Sequence, residues 1–295
     1  MRGWTKAQWH RPDGVDNLHQ RQCFLMGVAM RQAFSLKLPC AIALSCLMSA
    51  GVELGATAKV PAATEAAPAP EKAKSSASVD PDAMAALDKM GAYLRTLGSF
   101  ALKADTLTDN VLENGQTAQF AGTVDYKVRR PNGFVITVAD DRKVRQFSYD
   151  GKSFTVFSPR MRYYATVSAP PTIREVLDNA REKYGISLPM DDLFRWGEPG
   201  DKRDNLKSGF LVGYAKMGGQ DADQYAFRSG NIDWQIWIAR GDKPLPLKVV
   251  LTDVSDPARP QYTATYHWTP SATFTDATFA FKPPADAKPI KLASR

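Results

Sequence analysis

Few residues of this chain have the types and spacing that catalysis requires. Beyond Ala58 there is a single histidine, His267, set between Tyr266 and Trp268 in a β-prone run. A lone histidine in a strand reads as a polar residue with a satisfied partner. Without a second histidine or any cysteine in this part of the chain, nitrogen- or sulfur-rich metal sites and Cys–His mechanisms are excluded. A Ser–His–Asp triad would have to use His267, yet the chain has no Gly-x-Ser-x-Gly elbow. The acid pairs Asp140-Asp141 and Asp191-Asp192 could serve as the two carboxylates of a glycosidase. Both fall in expected turns, where Asp is favoured because its side chain bonds nearby backbone. Gly218-Gly219 is followed by Gln220-Asp221 and reads as a turn, not as a loop that cradles phosphate. The expectation is a non-enzymatic protein with no catalytic residue, no cofactor and no metal.

Charge and cysteine usage narrow the setting. From Lys59 onward the chain has 32 basic and 28 acidic residues, a net charge of +4 without a concentrated basic stripe, so nucleic acid is excluded as a partner. Leu38–Gly51 is an apolar run of signal-peptide length, preceded by Arg31 and Lys37 and followed by the small-x-small site Ala56-Thr57-Ala58. It is short for a bilayer span, which takes about 20 apolar residues. Residues 1–58 are therefore expected to be a leader cleaved after Ala58, with Met26 or Met30 as alternative starts. Two further routes stay open: an uncleaved leader tethering the protein to the inner membrane, or lipidation at Cys46. Cys23, Cys40 and Cys46 all lie within this leader, so the exported part has no disulfide or thiolate and must be stabilised by its own core. The periplasm is the expected compartment.

The elements that would position any site follow from periodicity. Residues 59–79 are Ala/Pro-rich and form an expected flexible spacer. Asp80-Pro81 starts a helix with Met84, Leu87, Gly91, Leu94 and Leu97 on one stripe, ending at Gly98. From Phe100 the period becomes two, and Phe120, Gly122, Val124, Tyr126 and Val128 alternate with polar residues. Turn residues recur at Asn114-Gly115, Pro131-Asn132-Gly133, Asp140-Asp141, Asp150-Gly151 and Ser158-Pro159. Short connections imply antiparallel pairing. About ten or eleven strands in one domain over residues 80–295 predict a strongly curved antiparallel sheet or incomplete β-barrel. A helical insert at about 170–200 opens with the capping box Thr172-x-x-Glu175. The aromatics on these strands either line an apolar pocket or pack on the helices as a closed core.

Gly122–Pro159 resembles the LolA-type periplasmic lipoprotein carriers, and lies closest to a group of predicted periplasmic proteins of that fold. The resemblance rests on Arg129-Arg130-Pro131-Asn132-Gly133-Phe134, Asp150-Gly151-Lys152 and Ser158-Pro159. Leu87-Asp88-Lys89, Gly98-Ser99-Phe100 and Phe279–Pro284 extend it to both ends of the domain. It implies an incomplete barrel whose lidded cavity accepts acyl chains. Arg130 matches the arginine that holds the lid by hydrogen bonds, and Phe134 the aromatic at the cavity mouth. By strand alternation Tyr126 and Val128 share the face of Arg130, and Ile136 and Val138 that of Phe134. The implied cargo is a lipid or the acyl chain of a lipoprotein, bound by a monomer. The long spacer and the larger insert depart from the family pattern. Related domains act as receptors or envelope-stress sensors, so an envelope protein bound by a module with a filled core is the alternative.

Cleavage after Ala58 predicts a mature N-terminus near Lys59. Terminal sequencing of the protein recovered from periplasm checks this, and a start upstream of residue 40 would instead establish an anchor.

Overall fold

The computed structural model of the chain describes residues 78–196 and 205–294. The expected leader, the spacer up to residue 77 and the insert's final residues, 197–204, lie outside the described residues.

Helix α1 (Pro81–Thr96) begins as its sequence dictates. The Asp80 carboxylate accepts from the Asp82 N–H at 2.9 Å, and Pro81 stands where no intrahelical N–H is needed. Its buried face is Ala83, Leu87, Met90, Gly91 and Leu94, one residue round from the expected stripe at its start because Ala83, not Met84, meets the sheet. Twelve strands follow: β1 (Ser99–Val111), β2 (Thr117–Arg129), β3 (Gly133–Asp140), β4 (Val144–Tyr149), β5 (Ser153–Ser158), β6 (Tyr163–Ser168), β7 (Leu206–Met217), β8 (Gln220–Ser229), β9 (Ile232–Ala239), β10 (Pro246–Asp253), β11 (Gln261–Thr269) and β12 (Lys288–Pro289). They form one open sheet in the order β12-β6-β5-β4-β3-β2-β1-β11-β10-β9-β8-β7. Two meanders, β1 to β6 and β7 to β11, thus meet where β1 pairs with β11.

The curved antiparallel sheet read from the sequence is the observed fold, with β12 added. That strand has two residues, one of them proline, and pairs parallel to β6. No alternation could have revealed it.

Register gives the sheet an apolar inner face. Phe100, Leu102 and Ala104 on β1 stand opposite Val128, Tyr126 and Val124 on β2. Those in turn face Phe134, Ile136 and Val138 on β3. Tyr149 and Phe147 on β4 and Phe154 on β5 continue the face. Helix α1 covers part of it. Helix α2 (Ile173–Tyr184) and the 3₁₀ turn Asp191–Phe194 cover more, and their buried residues join one continuous core with the strands. In the α2 cap, the Glu175 N–H donates to the Thr172 hydroxyl at 3.3 Å. The hydroxyl itself donates to the Glu175 carboxylate at 2.7 Å, so the acid binds the Thr side chain rather than its backbone. Gly185 ends the helix at φ 64°, a left-handed cap that glycine adopts without penalty. The outer face of the first strands carries the short helix α3 (Asp276–Phe279), whose Phe279 ring lies against Gly133.

Gly209 on β7 has no room for a side chain, because an added Cβ would lie 2.5 Å from the Phe227 ring. That ring stacks on Trp234 at 4.4 Å and cannot retreat freely. Gly209→Ala is expected to cost about 1–3 kcal/mol through overpacking, read as a lower urea midpoint; an unchanged midpoint would show that the strand shifts at no cost.

Candidate functional site

The six residues singled out from the sequence come together on the inner face. Tyr126, Val128, Phe134 and Ile136 are fully buried, and Val138 and Arg130 are half-buried. Their grouping follows from register: Val128 opposes Phe134, Tyr126 opposes Ile136, and Val138 lies one pair further along. Phe134, expected at a mouth, is enclosed at 0% exposure, 5.4 Å from the Tyr149 ring and 6.3 Å from that of Phe154. The lid sits down over this end of the sheet. The Ile173 N–H, first of α2, donates to the Pro131 carbonyl at 2.9 Å, which fixes the insert to the Arg-Pro-Asn turn.

The lid segment fills the centre of the face with its own side chains. The Phe194 ring lies 6.3 Å from Phe100 and 6.1 Å from Tyr126. The Arg130 guanidinium stands over the same ring at 5.7 Å, a cation–π contact where the resemblance implied a hydrogen bond to the lid. Leu188, Met190 and Leu193 are buried beside it. Met190 holds a left-handed backbone at φ 58°, a conformation unfavourable for a side chain of this kind, so the surrounding contacts must hold it there.

Polar latches fasten the lid. The Tyr126 hydroxyl donates to the Pro189 carbonyl, and the Tyr149 hydroxyl donates to the Pro170 carbonyl at 2.6 Å. Arg95 of α1 donates to the Trp196 carbonyl at 3.0 Å. Within the lid, the buried Asp191 accepts from Arg181 at 2.8 Å and lies 3.4 Å from Arg195, which also pairs with Asp178 at 2.8 Å. The sequence reading of Asp191 as a turn acid therefore needs correction. Its carboxylate ties α2 to the 3₁₀ turn, and only the fold brings Arg181 within reach. Burial pushes the ionisation of Tyr126 well up, with Tyr262 and Asp191 adding to the effect. Burial, with Glu175 and Asp150, pushes Tyr149 up to about 12. Both latch hydroxyls therefore remain neutral donors at physiological pH.

Other candidates fall elsewhere. His267 is exposed on the outer face, 2.9 Å from Asp105. Asp140 spends its carboxylate on the Arg142 and Lys143 N–H groups, as a turn aspartate should. Among the described residues, no group of three or more His, Cys, Asp or Glu is placed to hold a metal.

Two open grooves escaped the sequence reading, and neither includes any of the six residues. One, of about 710 Å³, runs along α1 between Ala85, Lys89 and Ala92 on the helix and Tyr225, Ile238 and Arg240 on the sheet. The other, of about 620 Å³, crosses small residues of β1, β2, β3 and β11, among them Ala121, Thr123, Ala139 and Thr265. The alanines of α1 carried a signal, being too small to fill the gap beside them. Which strands they would face was not readable.

No curated protein matches this chain. Solved structures of similar fold include the lipoprotein LppX of Mycobacterium tuberculosis, 14% identical over 66% of this chain and 98% of that one, with a TM-score of 0.40. LprF of Mycobacterium bovis is 12% identical over 72% and 100%, with a TM-score of 0.39. A LolA superfamily protein of Nitrosomonas europaea is 10% identical over 68% and 97%, with a TM-score of 0.32. The family model described as "Predicted periplasmic protein (DUF2092)" matches residues 83–293, most of the chain and nearly all of its described part, and the chain belongs to that family.

Proposed function

We propose that the protein is a periplasmic binding protein that holds a lipid or an acyl chain, including that of a lipoprotein, between its inner sheet face and the lid. The observation that carries this reading is the lid's construction. The side chains of Leu188, Met190, Leu193 and Phe194 cover an apolar face, and the lid that carries them is fastened by a few hydrogen bonds, at Pro170, Pro189 and Trp196. In the empty protein, Phe194, Leu193 and Met190 occupy the place of the ligand and keep the face from water. A ligand enters when the latches release and its methylenes replace those side chains. Each buried methylene contributes roughly 0.8 kcal/mol, enough for a long chain to offset the loss of the lid's own contacts. Tyr126, Val128, Phe134, Ile136 and Val138 line the opened site, and Arg130 moves with the Phe194 ring it covers. The chemistry is binding and release by a monomer in the periplasm, without cofactor or covalent step; His267 lies on the outer face, away from the interior.

One observation favours a second reading, an interaction module for an envelope protein. The interior side chains are fully enclosed and pack closely on one another, as in a permanently filled core.

Tyr126→Phe separates the two. It keeps the ring and removes the donor to the Pro189 carbonyl, at a cost of about 1–3 kcal/mol. The binding reading expects faster entry and exit of a fluorescent fatty-acyl probe, with faster hydrogen exchange over residues 173–196. A parent protein that binds no probe, and whose lid exchanges as slowly as the sheet, would establish the filled-core module instead.

The same latches predict a pH response. Unfolded tyrosine ionises near 10, and the fold holds Tyr126 and Tyr149 in the neutral form above that. Their contribution is complete below about pH 10 and falls as the pH rises from there toward about 12, where Tyr149 ionises in the fold. The stability difference between the parent and Tyr149→Phe should therefore be steady from neutral pH to about 10 and shrink above it, measured by thermal unfolding of the two proteins across that range.

A further inference from the structure

Three of the large exposed apolar side chains belong to the β6 end of the sheet: Met161 on the β5–β6 turn at 66% exposure, Tyr163 on β6 at 40% and Ile290 just after β12 at 52%. Backbone bonds hold the tail that carries Ile290 along β6. The Lys288 N–H donates to the Arg162 carbonyl, and the Ile290 N–H donates to the Tyr164 carbonyl, both at 2.8 Å. The Arg160 guanidinium reaches across to the Asp141 carbonyl at 2.6 Å and joins the β5–β6 turn to the β3–β4 turn.

Cations flank the apolar groups. Arg142 and Lys143 lie on the β3–β4 turn, Arg160 and Arg162 on the β5–β6 turn, and Lys288 and Lys291 on the C-terminal tail. Against these six stand three acids, Asp140, Asp141 and Asp286. Asp286 is already paired with Arg162 at 2.7 Å, and Asp140 is bound to backbone N–H groups. This small region thus has a net charge of +3, while the whole chain from Lys59 onward has +4. Burial, with a smaller effect of the neighbouring Arg145, lowers Lys143 to about 8.

We infer that this end of the sheet is a docking surface for an anionic lipid bilayer. The apolar groups stand singly at a turn tip and along a strand edge, between cations. That arrangement suits a headgroup layer, where side chains enter the acyl boundary while Lys and Arg meet lipid phosphates. It does not form the continuous apolar core that a protein interface needs. The surface belongs to different elements from the lid, so it stands whether or not the interior binds an acyl chain.

Cosedimentation of the exported protein with vesicles tests it, using phosphatidylglycerol with phosphatidylethanolamine against phosphatidylcholine alone, at low salt and at about tenfold higher salt. Binding at least tenfold tighter to the anionic vesicles, lost at high salt, is expected. Each cation near an anionic surface is worth about fivefold in affinity. The pair Lys288→Glu and Lys291→Glu should therefore weaken binding more than tenfold. Met161→Asp should weaken it with the charge count nearly kept, and Met161→Ser repeats that reading without adding a charge. All three positions are exposed, so unfolding midpoints and acyl-probe binding should not move. Equal binding to neutral vesicles, variants that bind like the parent, or binding to polyglutamate with none to vesicles overturns the inference. Loss of acyl-probe binding with vesicle binding retained would instead count against the interior site alone.

Discussion

A twelve-stranded sheet that does not close has one large apolar face and two edges, and the rest of this molecule exists to deal with them. Leu102, Tyr126, Phe134, Ile136 and Ile236 on the strands are almost wholly buried. At about 25 cal/mol per Å², so much apolar surface cannot be left to water. The chain supplies cover for this face from two places, α1 before the first strand and α2 with its 3₁₀ turn between the two meanders, while α3 packs on the opposite face. The β6 edge is capped by β12, and the start of β7 by a bridge from Val79 to Gly209.

The covers differ in how firmly they are held. Helix α1 contributes Leu87, Met90 and Leu94 to the core and continues almost directly into β1, so it is built into the sheet. The lid is joined at the Pro131 turn and by side-chain hydroxyls to carbonyls, with an ion-pair cluster that stays within the lid itself. Its apolar side chains join the same core as the strands, and its ion pairs hold its own parts together. Asp191 between Arg181 and Arg195 makes the lid a body in its own right, not a flexible loop.

Strand alternation from Phe120 to Val128, the turn aspartates and the caps of α1 and α2 were readable because each is fixed by neighbours within a few residues. Period two put Tyr126 with Val128 on one face of β2 and Phe134 with Ile136 and Val138 on one face of β3, but that these two faces are the same one came only with the register of the sheet. What pairs across long distances was not readable. Phe194 shows only that it is apolar; that it would sit between Phe100, Tyr126 and Arg130 depends on how the insert folds back. The same holds for the buried role of Asp191, for β12, and for the groove beside the alanines of α1. Arg130 was found only through its motif, since alternation describes a strand's faces and says nothing of which turn residue will stack on a ring far along the chain.

The join between the two meanders bears on how the molecule is made. Ala101 of β1 pairs with Thr269 of β11, so the sheet's central seam closes a loop that takes in nearly the whole domain. Every other antiparallel ladder joins strands that follow one another in the chain. Loop closure is costly before its contacts repay it, and such non-local pairings fold slowly. A chain emerging N-terminus first can assemble β1 to β6 early, but the second edge of β1 then waits, unpaired, for β11 to arrive. During that interval the half-formed sheet presents a 13-residue strand to any other chain nearby. Strand order alone therefore makes this edge the last part of the sheet's centre to be covered, separate from whatever the finished protein binds.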